Sequence, residues 1–235
     1  MAVSSPVWTW QDGQLAAAHG RAQVRFTSRC GGVSAAPYDT LNLGRWTDDD
    51  PAAVAENLAR ATRSAGVERL AQPHQVHGTA VVPAPAAGSF PEADGVHTAE
   101  PGVGCLVLTA DCLPVALVAP GGRAVAMVHA GWKGLAGGVL EAGVRALDED
   151  VAAAYIGPGA GPCCYEVGSE VHARFDTSGR TLDLKGIAAR RLRDAGVPEV
   201  HDAGLCTMCD PERRFFSHRR DRGLTGRQAG LAWWS

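Results

Sequence analysis

Residues 104–130, GCLVLTADCLPVALVAPGGRAVAMVHA, decide the fold of this chain. They contain three apolar runs, residues 104–109, 114–119 and 124–129, each long enough for one strand. Continuous runs rich in valine and leucine are typical of strands that are covered on both faces. Pro120-Gly-Gly122 separates the second run from the third, so we predict that these two strands form an antiparallel hairpin.

Helices are predicted on both sides of these strands. The first spans residues 51–64, where Asp50 can cap the helix and proline suits its first turn. Two more are predicted over residues 134–147 and 184–195, and residues 151–156 form a further strand. Because strands and helices do not alternate regularly, the pattern indicates a mixed α+β domain and argues against a doubly wound α/β fold.

Length, charge and hydropathy limit the classes of function. A chain of 235 residues suits one domain with a substantial core, so we expect a single domain over residues 1–235. The net charge of −3 gives no basic field that would attract nucleic acid or an anionic membrane. No apolar run approaches the ~20 residues of a membrane span, and residues 1–8 do not resemble a signal peptide. We therefore expect a cytoplasmic protein without nucleic-acid or membrane partners.

Two candidate catalytic groups stand at the ends of the central strands. Cys112 follows the strand over residues 104–109, and His129 ends the strand over residues 124–129. If these strands are neighbours, both side chains meet at one edge of the sheet, where catalytic groups are held rigidly beside a loop. The alternative is a buried free cysteine and a hydrogen-bonded core histidine.

The segment HQVH, residues 74–77, offers a third group. Either His74 or His77 could join Cys112 and His129 at a metal. Two histidines and one cysteine with an open fourth position form a known catalytic zinc arrangement. Because the chain has eight histidines and seven cysteines, spacing alone does not select these three residues.

The remaining cysteines include a lone CxxC motif, Cys206 to Cys209. A reducing compartment favours free or metal-bound thiols over disulfides. Without a second CxxC, the motif is interpreted as a structural pair of packed thiols, whose replacement by serine should lower stability modestly and leave turnover nearly unchanged. The alternative is a structural zinc that also uses Cys163 or Cys164.

Residues 213–227 concentrate arginines around Phe215 and Phe216. Arginines interleaved with aromatic residues occur in strips that bind nucleic acid. We favour another interpretation, in which the two phenylalanines belong to a buried strand and some arginines pair with Asp221 or with the acidic residues 48–50. A subset of the arginines could bind phosphate.

Several blocks of sequence, taken together and in order, resemble one family. They are FTSRCGGVS (26–34), LNLG (41–44), QVHG (75–78), TADCLP (109–114), VHAGWKG (128–134), GPGAGPCCYEVG (157–168) and FFSHRRD with TGR (215–227). By these blocks the chain is identified as a member of the YfiH-type laccase-domain family, also called the purine nucleoside phosphorylase / polyphenol oxidase family. Bacterial members carry the name peptidoglycan editing factor.

The resemblance implies a metal site and a fold. In the family, zinc is bound by the histidine of QVHG, the cysteine of TADC and the histidine of HAGW, which here are His77, Cys112 and His129. His74 lies outside that pattern and is expected beside the site or at the surface. The implied fold is YfiH-like, a single layered domain of mixed β-sheets flanked by helices.

The resemblance also implies an activity. Family members cleave purine nucleosides, namely adenosine, inosine and S-methyl-5′-thioadenosine, with inorganic phosphate, and they deaminate adenosine. For deamination we expect zinc to activate water and Asp111 to act as the proton donor. Arg29, Asn42 and Lys133 stand in the matched blocks and are candidates for binding phosphate or substrate. A monomer is expected.

Three other functions stay open. A copper-dependent polyphenol oxidase is implied by the family's older name, but the chain has no His-x-His pair, and Met127 precedes the histidine instead of sharing a copper loop with it. A cysteine hydrolase acting in peptidoglycan editing would use Cys112 as nucleophile and His129 as base. An interaction module would need neither metal nor pocket. Metal analysis, and alkylation of Cys112 with and without a chelator, separate these functions.

Overall fold

The computed structural model describes residues 7–235, which contain twelve β-strands and five α-helices. The strands are β1 (Thr9–Gln11), β2 (Gln14–His19), β3 (Ala22–Phe26), β4 (Arg69–Ala71), β5 (Val81–Pro83), β6 (Gly95–Thr98), β7 (Val103–Thr109), β8 (Leu113–Val118), β9 (Val125–Ala130), β10 (Ala153–Ile156), β11 (Glu199–Asp202) and β12 (Gln228–Trp234). The helices are α1 (Pro51–Ala65), α2 (Trp132–Gly137), α3 (Val139–Ala146), α4 (Ser169–His172) and α5 (Leu184–Asp194). Within residues 7–235, none of the helices combines the length and apolarity needed to cross a bilayer.

The strands form two six-stranded sheets of mixed direction. Sheet A has the order β1-β2-β3-β12-β7-β4, and sheet B has the order β11-β10-β8-β9-β6-β5. The β4–β7 pair of sheet A is parallel, as are the β10–β11 and β5–β6 pairs of sheet B. The central pairs of both sheets are antiparallel. The prediction of mixed β-sheets is confirmed.

The two sheets pack face to face, and helices cover their outer faces. Buried side chains from both sheets meet in the middle, among them Val24 and Phe26 of sheet A and Val118 and Val125 of sheet B. Helix α1 packs on the outer face of sheet A, and helices α3 and α5 pack on the outer face of sheet B. The molecule is therefore layered as helix, sheet, sheet and helices, which confirms the predicted α+β architecture.

The central strands match their prediction because both of their faces are covered. Every residue of β7, β8 and β9 is buried. Strand β8 pairs with β9 from Leu113–Ala130 to Val118–Val125, which confirms the hairpin. Helix α1 also begins where predicted, since the carboxylate of Asp50 accepts a hydrogen bond from the N–H group of Ala52 at 2.9 Å.

The single helix predicted over residues 134–147 is wrong, because the segment forms two helices, α2 and α3. Gly138 lies between them with φ of 94°, in the left-handed region that favours glycine. Its N–H group points back to the carbonyl oxygens of Gly134 and Leu135, which ends α2. The chain then changes direction before Val139 begins α3.

The prediction of a buried strand at Phe215 and Phe216 is wrong in its secondary structure. Both rings are fully buried, but the residues lie in an irregular loop that leads to β12. The N–H group of Phe216 donates to Oε1 of Gln228 at 2.8 Å, and Nε2 of Gln228 donates to the carbonyl oxygen of Phe216 at 3.1 Å. A buried side chain of β12 thus supplies the hydrogen-bond partners that a neighbouring strand would have given.

Ion pairs tie the arginine-rich segment into the fold. Nε of Arg220 lies 2.8 Å from Oδ1 of Asp221, which confirms the expected pairing. Arg214 binds the buried carboxylate of Asp210 through Nε and Nη2. Of the acidic residues 48–50, Asp49 accepts a hydrogen bond from Asn42 and not from an arginine of this segment.

A buried asparagine joins α1 to the loop that follows β3. Asn57 has no exposed surface, and its side-chain oxygen accepts a hydrogen bond from the N–H group of Val33 at 2.9 Å. Its side-chain nitrogen donates to Oγ of Ser34 at 2.9 Å and to the carbonyl oxygens of Thr40 and Asn42 at 3.1 and 2.9 Å. The shape of this loop therefore depends on one side chain of the helix.

We expect the change Asn57→Ala to lower the free energy of unfolding by about 2–4 kcal/mol, because it leaves several buried polar groups without a partner. Chemical denaturation measures this loss. The change Glu56→Ala, at the partly exposed neighbour on the same helix, is the control and should alter stability little. Equal stability of the two variants would contradict the role given to Asn57.

Candidate metal centre

Cys112 and His129 meet through the hairpin of sheet B. Cys112 directly precedes β8, and His129 lies in β9 opposite Pro114 of β8. The sequence predicts that the two residues meet because β7 and β9 are neighbouring strands. That explanation is wrong, since β7 belongs to sheet A. The meeting follows instead from the register of β8 with β9.

His77 reaches the same place from the loop between β4 and β5. Its backbone has φ of 59°, which is uncommon for a residue with a side chain. The N–H groups of Val76, His77 and Gly78 all donate to the carboxylate of Asp94, at 3.2, 2.9 and 2.5 Å. One carboxylate that accepts from three successive N–H groups holds the loop in this shape and brings the imidazole of His77 to Cys112 and His129.

Asp94 also orients the second histidine. Its Oδ1 lies 2.8 Å from Nδ1 of His129, and the two side chains are 0% and 4% exposed. A carboxylate at Nδ1 fixes the proton on that nitrogen and leaves the lone pair of Nε2 for a metal. Asp94 therefore positions two of the three candidate ligands.

The three side chains form a group that fits a transition-metal ion. The ligand atoms of His77, Cys112 and His129 all lie within 4.8 Å of one another, and the two imidazole rings are edge to face at 4.9 Å. A Cβ added at Gly131 would lie 3.1 Å from Sγ of Cys112 and 3.1 Å from Cδ2 of His77, so a glycine keeps the space beside them open. Two imidazoles and a thiolate suit zinc or copper and leave further coordination open to water or substrate.

Cys112 and His129 each shift the pKa of the other towards its charged form. Burial raises the pKa of the Cys112 thiol, but His129 and His77 outweigh burial and lower that pKa from 9.0 to about 6. Burial lowers the pKa of His129, but Cys112 and Asp94 outweigh it and raise that pKa from 6.5 to about 9. At neutral pH the metal-free protein therefore holds a thiolate beside an imidazolium, and the thiolate is the form that binds a metal.

Asp111 stands beside Cys112, but its carboxylate already has two partners. Oδ1 accepts a hydrogen bond from the hydroxyl of Thr207 at 2.6 Å, and Oδ2 accepts one from the N–H group of Arg219 at 2.8 Å. The predicted role of Asp111 as a proton donor stays a prediction, and these contacts instead show it fastening two loops beside Cys112.

Arg29 and Lys133 differ in how far their cationic groups are already bound by other groups of the protein. Arg29 donates from Nε to the carbonyl oxygen of Asp39 at 2.7 Å, pairs through Nη2 with Oδ1 of Asp39 at 2.9 Å, and lies 4.9 Å from the ring centre of Phe216. Lys133 is exposed, one residue beyond Trp132, and its Nζ lies 5.7 Å from that ring. Lys133 is thus the more available cation.

Asn42 is used entirely within the protein. The residue has no exposed surface, its side-chain nitrogen donates to Thr47 and Asp49, and its side-chain oxygen accepts from the N–H groups of Gly44 and Arg227. The expectation that Asn42 binds phosphate or substrate is therefore corrected: its amide joins the loop over residues 42–49 to Arg227.

Two residues near the triad were not selected from the sequence. Asp94 lies 17 residues from His77 and 35 from His129, so no local spacing marks it. Arg227 has its pKa lowered by burial, an effect opposed by the nearby charges of Cys112 and Asp111. Arg227 belongs to the TGR block, and that membership is the one sequence signal that could have distinguished it from the other arginines.

The other candidate residues do not belong to the ligand group of the triad. His74 is half-buried and packs edge to face against Trp46 at 4.7 Å, and Trp46 packs in the same way against Phe90 at 5.6 Å. Cys206 and Cys209 belong to a separate group of cysteines.

Comparison with known sequences gives consistent matches. Residues 23–235 match the family described as multi-copper polyphenol oxidoreductase laccase. A Pseudomonas aeruginosa protein named purine nucleoside phosphorylase is 43% identical over 234 residues, which cover 91% of this chain and 93% of that protein. A Streptomyces griseus protein with the same enzyme name is 41% identical over 236 residues, which cover 91% of this chain and 95% of that protein.

Solved structures share the fold. The crystal structure of a Neisseria meningitidis protein superposes with a TM-score of 0.89 at 38% identity, covering 95% of this chain and 100% of the other. The crystal structure of YfiH from Bacillus licheniformis, called a hypothetical protein, superposes with a TM-score of 0.90 at 27% identity, covering 98% and 100%.

We expect the change Asp94→Asn to weaken zinc binding at the triad by about 10- to 100-fold, because the amide no longer orients His129 and the loop of His77 as a carboxylate does. The zinc concentration that protects Cys112 from iodoacetamide measures this affinity. Glu92→Gln, at an exposed carboxylate two residues away, is the control and should bind like the wild type. Unchanged protection in Asp94→Asn would refute the role given to this carboxylate.

The alkylation rate of Cys112 in metal-free protein should rise with pH around an inflection at about 6, because the thiolate is the reactive form. In His129→Gln the cation is lost while burial persists, so the inflection should move upward towards 9.0. Mass spectrometry of the peptide that contains Cys112 gives both rates. An inflection that stays near 6 in the variant would show that His129 does not stabilise the thiolate.

Proposed function

This chain belongs to the family described as multi-copper polyphenol oxidoreductase laccase, and we propose that within it the chain acts as a zinc-dependent purine nucleoside phosphorylase. Its relatives named for that enzyme cover nine-tenths of the chain at about two-fifths identity. The observation that carries the proposal is the triad of His77, Cys112 and His129, braced by the buried carboxylate of Asp94.

We propose zinc as the metal because of the chemistry of this donor set. Two neutral imidazoles and one thiolate are ligands of catalytic zinc, and zinc bound with an open position lowers the pKa of a water ligand to ~7. The protein contributes the orientation of the imidazoles through Asp94 and the ionised state of Cys112 through His129. These residues therefore fix the geometry and the thiolate before any substrate binds, and metal binding would displace one proton from the imidazolium of His129.

Phosphorolysis requires an anion beneath C1′ of the ribose. A phosphate oxygen forms a bond to C1′, the bond from C1′ to the purine nitrogen breaks, and the base leaves with a proton. Two cations suit phosphate. Lys133 is exposed and lies four residues after His129, and Arg227 is close enough to Cys112 to interact with its charge, while its Nη1 donates to the carbonyl oxygens of Thr225 and Gly226. Guanidinium and ammonium groups also offset the negative charge that develops as the bond breaks.

The base is proposed to bind at the exposed aromatic side chains of Trp46 and Phe90. Trp46 is 52% exposed and Phe90 is 38% exposed, and Trp46 contacts His74, which is three residues from His77. Purine rings stack on exposed aromatic faces. Substrates in this proposal are adenosine, inosine and S-methyl-5′-thioadenosine, and adenosine is in addition deaminated when water adds at C6 and ammonia leaves.

A cysteine hydrolase is the second candidate, and one observation favours it. Cys112, His129 and Asp94 follow one another as nucleophile, base and orienting carboxylate. His77 argues for the metal, since a second imidazole at the thiol has no role in such a triad. A nucleophilic cysteine is alkylated equally with and without a chelator, whereas a zinc-bound thiolate reacts only after the metal is removed.

A copper oxidase is less well supported by the surroundings of the triad. Met127, the methionine closest to His129 in sequence, is fully buried between the sheets, where a Cβ at Gly230 would lie 2.8 Å from its sulfur. It is therefore engaged in the core and not placed as an axial copper ligand. Metal analysis of protein purified without added copper distinguishes the two metals.

Product chromatography tests the proposed reaction. Adenosine, inosine and S-methyl-5′-thioadenosine are each incubated with the enzyme, with and without phosphate. The expected products are the free base and the matching pentose 1-phosphate, formed only with phosphate, and inosine from adenosine. Cys112→Ala should abolish all of these, while Cys30→Ser, at an exposed cysteine outside the triad, should retain them. Equal release of base without phosphate would show hydrolysis and overturn the phosphorylase.

We expect replacement of Lys133 and replacement of Trp46 to affect different substrates, phosphate in the first case and nucleoside in the second. Lys133→Ala should raise the KM for phosphate by roughly 10- to 100-fold, the value of one charge-assisted hydrogen bond, and change the KM for nucleoside little. Trp46→Ala should do the reverse, because it removes a stacking surface for the base. Steady-state kinetics in both substrates measure the split. Parallel effects of the two variants on both KM values would contradict this arrangement.

A further inference from the structure

A second group of metal-ligating side chains lies outside the triad. It is called here the four-cysteine group and consists of Cys163, Cys164, Cys206 and Cys209. The first two stand in the turn that follows β10, and the other two form the CxxC motif after β11. The expected packing of the CxxC pair as isolated thiols is therefore corrected, because the fold adds two more thiols to it.

The pairing of two strands explains why these loops meet. Strands β10 and β11 are parallel, and Ile156 lies opposite Asp202, so both chains leave sheet B at the same edge. Beyond the strands, the N–H group of Gly159 donates to the carbonyl oxygen of Leu205 at 3.3 Å, and its carbonyl oxygen accepts from the N–H group of Thr207 at 3.2 Å. This ladder of hydrogen bonds brings the CxxC motif beside the turn that carries the other two cysteines.

The sulfur atoms converge on one point. All four lie within 4.8 Å of one another. The distance from Sγ of Cys163 to Sγ of Cys164 is 3.5 Å, and to Sγ of Cys209 it is 2.9 Å, while Sγ of Cys164 lies 3.4 Å from Sγ of Cys206. In a tetrahedral zinc site with sulfur ligands at ~2.3 Å, the sulfurs are about 3.8 Å apart, so small shifts convert this group into a complete site.

Apolar packing does not account for this convergence. Cys163 and Cys209 are exposed and the other two thiols are half-buried, so little apolar surface is removed from water by bringing them together. The N–H group of Gly161 also donates to Sγ of Cys206 at 3.3 Å. Hydrogen bonds from surrounding donors orient metal ligands, and four sulfur atoms gathered around one point match the ligand set of a tetrahedral zinc ion.

We propose that the four-cysteine group is a second metal site, a structural zinc centre with four thiolate ligands. Soft thiolates select zinc over hard cations, and four protein ligands leave no open position for a substrate. The centre would fasten the loop after β10 to the loop after β11. Thr207, within the CxxC motif, donates its hydroxyl to Asp111 beside Cys112, so the centre braces one side of the triad.

Zinc content of the full-length protein, purified without added metal or chelator, tests the proposal. We expect two zinc ions per chain in the wild type, one in Cys112→Ala, one in Cys209→Ser and none in the double variant, while Cys30→Ser should match the wild type. A wild type and a Cys209→Ser variant with equal zinc would overturn the second site. If only the triad proposal fails, the wild type and Cys112→Ala will each hold one zinc, and Cys209→Ser none.

A measurement on the wild type does not depend on the folding of a variant. Alkylation by iodoacetamide, followed by mass spectrometry, should leave the four-cysteine group unmodified until a strong chelator is added, while exposed Cys30 reacts at once. If the intact mass of the protein, measured without reduction, is lower by two hydrogen atoms for each pair of these cysteines, the group forms disulfides and the zinc centre is overturned. Iron in place of zinc, or reaction of the group without a chelator, would overturn it as well.

Discussion

The carboxylate of Asp94 is the constraint on which the candidate site depends. The three ligands come from three separate segments: His77 from a loop, Cys112 from the start of β8 and His129 from β9. Two oxygen atoms of one buried side chain connect the loop to the strand, through three N–H groups on one side and Nδ1 of His129 on the other. Hydrogen bonds from His129 and Gly78 outweigh burial and hold the pKa of Asp94 below its ordinary value, so it stays ionised in this role.

The elements of the fold that could be predicted from sequence are those whose local pattern of apolar residues has a single physical explanation. Strands β7, β8 and β9 are buried on both faces, and their continuous apolar runs predicted both the strands and the hairpin. The break between α2 and α3 was missed because the apolar stripe of Leu140, Val144 and Leu147 was extended back across Gly137 and Gly138, although two successive glycines are a turn signal.

The residues of the candidate site also fall into those that could be predicted from sequence and those that could not. The ends of the apolar runs identified Cys112 and His129, and the resemblance of QVHG to a family block identified His77, because each signal lies within a few residues. Asp94 lies 17 and 35 residues from its partners and joins them only through the fold, so no spacing could show it. Asn42 and Asp111 stand in matched blocks, and the structure shows that such positions also include residues that hold loops together.

The central claim is that His77, Cys112 and His129 bind zinc, and anomalous X-ray scattering from crystals of this protein tests it most directly. Data are collected just above and just below the zinc absorption edge. The account predicts a peak among the two imidazoles and the thiolate above the edge that vanishes below it. The absence of such a peak at the triad would contradict the account. A peak that persists in data collected between the copper and zinc edges would also contradict it, because it would show a metal other than zinc.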